Sequence, residues 1–261
     1  MDRKIIFFDI DGTLYVYGKK ILDSTVEAIR MLKENGHIPV ICTGRTKSMI
    51  FPEIFDIGFD SLISGGGTYA EYQGKKLYLE CMDKEAVEDV AETMSECGIV
   101  PIPEGHEHMY IDKNNIPDSY REVYTLYEEK IGDKIEPIDY ENMSVSKISG
   151  KIEPHSDIAT MERKYSKDYT IINHAGELLE LIPKPYTKAV GIERMIKYLD
   201  IPVENTYAFG DSFNDVEMLK YVKYGIAMGN SNPELFKHVK YRTDNIEDSG
   251  IYNGLKKMKL I

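Results

Sequence analysis

The sequence is poor in cysteine, short of positive charge and without any long hydrophobic run. Its three cysteines, Cys42, Cys81 and Cys97, are odd in number and match no zinc or redox spacing. That excludes a disulfide scaffold and a cysteine-built metal centre; reduced thiols in a cytoplasmic protein are the economical reading. Lysine and arginine number 32 against 44 aspartates and glutamates, a formal net charge of −12. So acidic a chain repels phosphate backbones and anionic bilayer surfaces, which excludes nucleic acid and membranes as general partners. No apolar run approaches the roughly 18 residues that span a bilayer. Ile5–Phe8, behind Met1-Asp2-Arg3-Lys4, is far too short for the core of a signal peptide. Repeats and low-complexity segments are also missing. What is present is 42 % apolar and 29 % charged residues, enough for a sizeable core. At roughly 150 residues per domain, 261 falls between one domain and two.

The first third of the chain has a strand–helix rhythm. Lys4–Asp9 is a continuous apolar run of the kind buried in a parallel sheet, and it ends at Asp9-Ile10-Asp11-Gly12-Thr13. Ser24 is expected to cap a helix carrying Ala28, Ile29 and Leu32 on one face and stopped by Gly36. Strand Ile38–Cys42 ends at Thr43-Gly44-Arg45, and strand Ser61–Ile63 ends at Ser64-Gly65-Gly66-Gly67. Alternation of this kind predicts a doubly wound α/β sheet. Tyr69–Glu80 then reads as a hairpin turning at Gln73-Gly74. A helix with Val87, Val90, Ala91 and Met94 on one face follows, and short strands (145–152, 169–173, 177–182) then mix with helices (118–131, 155–166) as far as Pro183-Lys184-Pro185. The α/β rhythm resumes with helix Lys188–Leu199, strand Thr206–Phe209 ending at Gly210-Asp211, and strand Tyr224–Met228. One α/β core, interrupted by an α+β insertion of about one hundred residues, is the organisation expected.

Open α/β sheets bind ligands outside the carboxyl ends of their strands. Three expected core strands end there in polar clusters: Asp9 and Asp11; Thr43, Gly44 and Arg45; Asp211 with Asn214 and Asp215. Carboxylates converging from separate strands repel unless a cation lies between them. An all-oxygen donor set without histidine or cysteine favours Mg²⁺ over zinc. Each piece alone has a plain structural explanation: a turn, a helix start, a surface lysine at Lys188, a helix cap at Asp215. The glycine run 65–67 lacks the Gly-Lys-Ser/Thr of a P-loop and reads as a close-packed turn. His106 and His108 read first as solvated residues of the insertion and second as substrate contacts, with His174 and Glu180 as weaker candidates of the second kind.

Taken in order, Asp9-x-Asp11-Gly12-Thr13, Thr43, Lys188 and Gly210-Asp211-x-x-Asn214-Asp215 resemble the four motifs of the haloacid dehalogenase superfamily, over essentially the whole chain. The chain is most similar to the Cof-type sugar-phosphate phosphatases, whose cap follows the third core strand. Only about a dozen residues separate Asp11 from the helix near Ser24, too few for a cap at the other family position. The resemblance implies a Rossmann-like catalytic core over 1–80 and 185–261, with an α+β cap over 81–184 that supplies specificity. It implies Asp9 as nucleophile toward phosphorus and Asp11 as the acid and base that serves the leaving alcohol and then water. Mg²⁺ would be held by Asp9, the Asp11 carbonyl and Asp211, with Asp215 in support. Thr43, Gly44, Lys188 and Asn214 would hold phosphoryl oxygens, and Arg45 would either bind substrate or lock the Thr43 loop. The implied partner is a small phosphorylated metabolite.

Two positions depart from the family pattern. Gly66-Gly67-Thr68 stands where Asn-Gly-Ala is common, so only backbone N–H groups or Thr68 could replace the asparagine, and Ala189 follows the lysine in place of glycine. A phosphotransferase or mutase of the same superfamily is the chemical alternative. A receiver-like phosphoacceptor needs neither Asp11 nor an insertion, and a binding module without catalysis has no use for the intact set.

Overall fold

The computed structural model describes residues 3–261; Met1 and Asp2 lie outside them. The chain divides into two compact units, one of residues up to Gly44, Pro52–Leu77 and Lys188–Ile261, the other of Arg45–Phe51 and Tyr78–Thr187.

The first unit is built on β1 (Ile5–Phe8), α1 (Asp23–Glu34), β2 (Ile38–Cys42), the short α2 (Pro52–Phe55), β3 (Leu62–Ser64), β4 (Tyr69–Tyr72) and β5 (Lys75–Leu79). Its eight-stranded sheet runs β14-β13-β12-β1-β2-β3-β4-β5, where β12, β13 and β14 are Thr206–Gly210, Tyr224–Ala227 and Tyr241–Arg242. Strands β14 through β3 are parallel, and β4 returns antiparallel to β3. β1 is fully buried along its length, which is why its sequence is continuously apolar rather than alternating. Phe8 stacks on Phe209 of the neighbouring strand, ring centroids 5.3 Å apart. The chain order places β1 at the reversal point, with β2 and β3 on one side and β12 to β14 on the other. The β4–β5 turn falls at Gln73-Gly74, both with positive φ, as a two-residue hairpin turn requires.

One expectation for this unit fails locally. Helix α1 begins at Asp23 with Leu22 at the cap position and no side-chain cap. The Ser24 hydroxyl is drawn instead to Ser249 Oγ, 2.9 Å away and 225 residues on, a tertiary partner that outcompetes the local one.

The second unit contains α3 (Lys84–Glu96), β6 (Ile99–Glu104), β7 (Met109–Tyr110), α4 (Asp118–Ile131), β8 (Ile135–Glu136), β9 (Lys147–Ile152), α5 (Ile158–Tyr165), β10 (Tyr169–His174) and β11 (Leu178–Pro183), in a sheet ordered β10-β11-β9-β6-β7-β8. Helices α6 (Lys188–Tyr198), α7 (Val216–Tyr221) and α8 (Gly250–Lys257) belong to the first unit. Residues of β9 and β11 alternate strictly. Ile148, Leu179 and Leu181 join Val90 and Met94 of α3 and Met161 of α5 in an apolar cluster. Lys147, Ser149, Lys151 and Glu180 take the intervening positions, and all four are buried.

That buried polar layer is paired throughout. Lys147 is bonded to Glu180, with Glu104 Oε2 at 3.4 Å, and His174 Nε2 lies 2.9 Å from Glu180 Oε2. Burial acts to raise the Glu180 carboxyl, but Lys147 and His174 outweigh it and hold the pKa at about 2. Glu104 shares the same lysine at longer range, and there burial wins and the pKa is raised. The ordinary value for Glu180 is 4.5, so between the two values the unfolded chain binds more protons than the folded one. The stabilising contribution of Glu180 is therefore complete above pH 4.5 and lost as pH falls toward 2. Thermal melts over that interval should fall more steeply for the wild type than for Glu180→Gln; parallel curves would refute the assignment.

No helix among the described residues is long and apolar enough to cross a membrane. The three cysteines are free thiols.

Candidate active site

Asp9 follows β1 directly, and its N–H extends the ladder by donating to Phe209 O at 3.0 Å. Asp211 follows β12 and Thr43 follows β2, so the three come from adjacent strands at the reversal point of the sheet. Asp9 is 4 % exposed. Lys188, equally buried, opens α6 and donates from Nζ to Asp9 Oδ1 at 2.7 Å and to Asp215 Oδ1 at 2.6 Å. An ammonium at a helix N-terminus stands at the wrong end of the helix dipole. The two carboxylates, 179 and 27 residues away in sequence, compensate it.

Asp215 does two things at once. Its Oδ2 accepts from the backbone N–H groups of Asp211 (3.0 Å) and Ser212 (3.1 Å), closing a capping box with Ser212 that shapes the turn before α7. Its other oxygen holds Lys188. Gly12 has φ +79°, and a Cβ there would stand 2.2 Å from Asp211 Oδ2, so only glycine lets the loop after β1 lie against Asp211. Thr13 Oγ1 donates to Asp211 Oδ1 at 3.4 Å, and Asn230 Nδ2 donates to Gly12 O at 2.8 Å. Asn230 joins the site with no mark in the sequence beyond its position after a core strand.

The remaining candidates fall as follows. Asp11 is exposed, yet close enough for its charge to act on both Asp9 and Asp211. Thr43 is buried; its N–H donates to Ile63 O (3.0 Å) and its carbonyl accepts from Gly66 N–H (3.1 Å). The glycine turn is thereby pinned to the Thr43 loop through backbone alone, and the Thr68 hydroxyl is spent on Gly65 O at 3.1 Å. Gly44 is half-buried, as is Asn214, whose amide oxygen accepts from Ser212 Oγ at 2.6 Å. Arg45 is not grouped with the carboxylates. It belongs to the second unit, donates to Met49 O at 3.1 Å and lies over the rings of Phe51 and Tyr127. His106 and His108 occupy the turn between β6 and β7, and the His174–Glu180 pair belongs to the buried layer of the second unit, where Glu180 is not solvated.

Electrostatically the cluster is short of positive charge. One oxygen each of Asp9, Asp211 and Asp215 lies within 4.8 Å of the others, and one ammonium, bonded to Asp9 and Asp215, acts on Asp211 through its charge alone. Burial raises the Asp9 carboxyl well above the usual range, the charge of Asp215 adds to this, and Lys188 offsets it only in part. Burial and Asp215 push Asp211 up to about 7. Burial would lower Lys188, but Asp215 and Asp9 outweigh it and keep the side chain an ammonium. Cys42, whose Sγ is 4.0 Å from Lys188 O, has its thiol pushed up by burial and stays protonated. The available donors are thus oxygens alone, in surplus over their cation. A hard divalent ion fits them and a thiolate-bound one does not.

The sequence profile of the haloacid dehalogenase-like hydrolases matches residues 6–255. YkrA of Bacillus subtilis (strain 168), provisionally named a phosphatase, is 28 % identical over 273 residues, covering all of both chains. An HMP-PP phosphatase of Yersinia pseudotuberculosis is 26 % identical over 243 residues, 89 % of this chain and 86 % of its own. Among solved structures, the subclass IIB sugar phosphatase BT4131 superposes with a TM-score of 0.84 at 25 % identity, covering 99 % of this chain and 100 % of that one. With a buried carboxylate–lysine cluster at the reversal point of a Rossmann-like sheet, the chain belongs to the haloacid dehalogenase-like hydrolases, among their Cof-type phosphatases. It is a phosphoric monoester hydrolase.

Proposed function

We propose that this chain is a cytoplasmic, Mg²⁺-dependent phosphatase of small sugar phosphates that works through an aspartyl-phosphate on Asp9. The observation that carries the reading is the buried Asp9–Lys188–Asp215 arrangement beside Asp211: two carboxylates bonded to one ammonium and a third carboxylate next to them. In this reading residues 1–80 and 185–261 carry the catalysis, and 81–184 choose the substrate. The similarity to a solved sugar phosphatase supports the substrate class, the three free thiols suit a reducing compartment, and the charge of −12 disfavours polyanions.

Asp9 attacks phosphorus in line, forming the Asp9 O–P bond as the P–O bond to the alcohol breaks. Asp11, two residues on and exposed, gives its proton to the departing oxygen. The same carboxylate, now ionised, takes a proton from the water that cleaves the Asp9–phosphate bond, releasing inorganic phosphate and restoring both residues. Splitting one displacement in two is what a carboxylate nucleophile contributes. Lys188, Thr43, Gly44 and Asn214 hold and neutralise phosphoryl oxygens, the main demand of phosphoryl transfer. Lys188 also favours the ionised form of Asp9, offsetting part of the pull of burial and of Asp215. Asp9, Asp211 and the Asp11 carbonyl would hold Mg²⁺, while Asp215 supports them by fixing the loop and the lysine. The ion supplies charge neutralisation at the phosphoryl oxygens. Arg45 serves its own segment, as its bond to Met49 O suits a lock better than a phosphate ligand.

A panel of phosphate esters assayed with Mg²⁺ and with EDTA tests this. Release of inorganic phosphate from sugar phosphates, falling at least 100-fold on chelation, is the expected outcome. Turnover that survives chelation, or phosphate passed to a second alcohol instead of water, would overturn it.

A further inference from the structure

The second unit encloses a cavity of its own, of about 220 Å³, every lining residue of which belongs to that unit. At roughly 30 Å³ per water it holds about seven waters, or one small ring. Ile102 and Glu104 of β6 and Ser149 and Lys151 of β9 face it from the sheet, and Tyr120 and Tyr127 face it from α4. Tyr127 is held from outside by Phe51, edge-on at 5.2 Å, and by Arg45. The walls are largely apolar and aromatic, and they carry three charged side chains, Glu104, Lys151 and Glu177.

Glu104 and Lys151 differ in how firmly they are committed. The Glu104 side chain is 2 % exposed and receives three donors: Ser149 Oγ, Thr46 Oγ1 at 3.3 Å and Lys147 at 3.4 Å. A carboxylate has room for about four, so one acceptor position remains. Lys151, 8 % exposed, is paired at 2.5 Å with Glu177, whose side chain is 77 % exposed. A pair of that kind is worth little, so exchanging the Glu177 oxygen for another acceptor costs little. Glu104 in a low-dielectric wall repels an anion, and a hydrocarbon would satisfy neither group. A hydroxyl suits both, since it donates to a carboxylate and accepts from an ammonium, while the C–H faces of a saturated ring lie well on tyrosine rings.

We propose that this cavity binds a small uncharged polyol, a monosaccharide or sugar alcohol, with its hydroxyls bridging Glu104 and Lys151. The binding needs no phosphate and so stands independently of the hydrolytic reading. It makes use of that reading only where the polyol is the alcohol part of an ester rather than a free molecule.

Saturation-transfer NMR on the full chain, with unphosphorylated monosaccharides and sugar alcohols as probes, tests the site. At least one should bind, and binding should weaken tenfold or more in Val123→Trp, which fills the cavity from a half-buried position on α4, and in Lys151→Met. Circular dichroism and melting confirm that each variant is folded. Binding by no polyol, binding by uncharged heterocyclic amines alone, or binding indifferent to Val123→Trp would each overturn the proposal. A rise in the ratio of sugar-phosphate KM to aryl-phosphate KM in Val123→Trp identifies the ester as the occupant. Loss of polyol binding with that ratio unchanged identifies a free ligand. If the wild type hydrolyses no ester yet binds a polyol, the phosphatase mechanism fails and the cavity proposal stands.

Discussion

Asp9→Asn should abolish ester hydrolysis, lowering kcat by about 10⁴-fold or more, while leaving the protein folded. The amide has the carboxylate's shape and can still accept from Lys188 through its oxygen, but it is no nucleophile toward phosphorus. The structural cost is small because the wild-type carboxylate is itself strained electrostatically. Burial and Asp215 raise its pKa well above the ordinary range. Removing one of three clustered negative charges therefore relieves repulsion even as it weakens one contact to Lys188. Steady-state kinetics with a sugar phosphate, a thermal melt and covalent labelling by radiolabelled ester check the three parts together. The variant should give no rate, an unchanged or raised melting temperature without metal, and no label on the chain. A variant with a tenth of the wild-type rate would mean that Asp9 is not the nucleophile.

Much of this site is legible in the sequence. Asp9, Thr43 and Asp211 were legible because each follows a short apolar strand, and parallel strands in one sheet put their carboxyl ends together whatever separates them in sequence. Lys188 was legible through family order rather than physics, since a lysine in the first turn of a helix is locally unfavourable. Its reason is two carboxylates from distant strand ends, which no local pattern reveals. The double duty of Asp215 was only half visible. The capping box shows in the spacing from Ser212, but the hold on Lys188 does not.

The second unit was harder to read, for identifiable reasons. β6 is masked in the sequence because Pro101 and Pro103 break a strand pattern. Two residues apart, both miss an N–H on the same edge of the strand, and along that edge β7 pairs with β6 only at Glu104. The buried layer of Glu104, Lys147 and Glu180 reads in sequence as ordinary surface charge. Its burial depends on strands 43 and 33 residues apart coming into register. The same holds for Arg45–Phe51, which chain continuity assigns to its neighbours on either side. Contacts of Thr46 with Glu104 and of Ser48 with Gly105 O (2.8 Å), each across nearly sixty residues, group it instead with the second unit.

Lys188→Met carries the second large effect, and it separates the two roles of that ammonium. The side chain is buried between Asp9 and Asp215 at 2.7 and 2.6 Å. Replacing it leaves two buried carboxylates facing one another with no counter-charge, a loss on the order of 3–5 kcal/mol of stability. One carboxyl can escape by taking up a proton, so the folded-state pKa of Asp9, already raised by burial, rises further. A raised carboxylate pKa favours the folded state at low pH and loses that advantage as pH rises through it. The melting temperature of the variant should therefore fall below that of the wild type by more at pH 8 than at pH 6. Magnesium chloride should raise it by more than it raises the wild type, because a divalent ion supplies the charge the ammonium gave. Hydrolysis should drop by about 10²–10³-fold even where Mg²⁺ restores the fold, since the ion cannot also donate hydrogen bonds to the phosphoryl oxygens from the lysine's position. Equal melting temperatures for the two proteins at both pH values, with turnover within tenfold, would show that Lys188 neither balances the carboxylates nor serves the reaction.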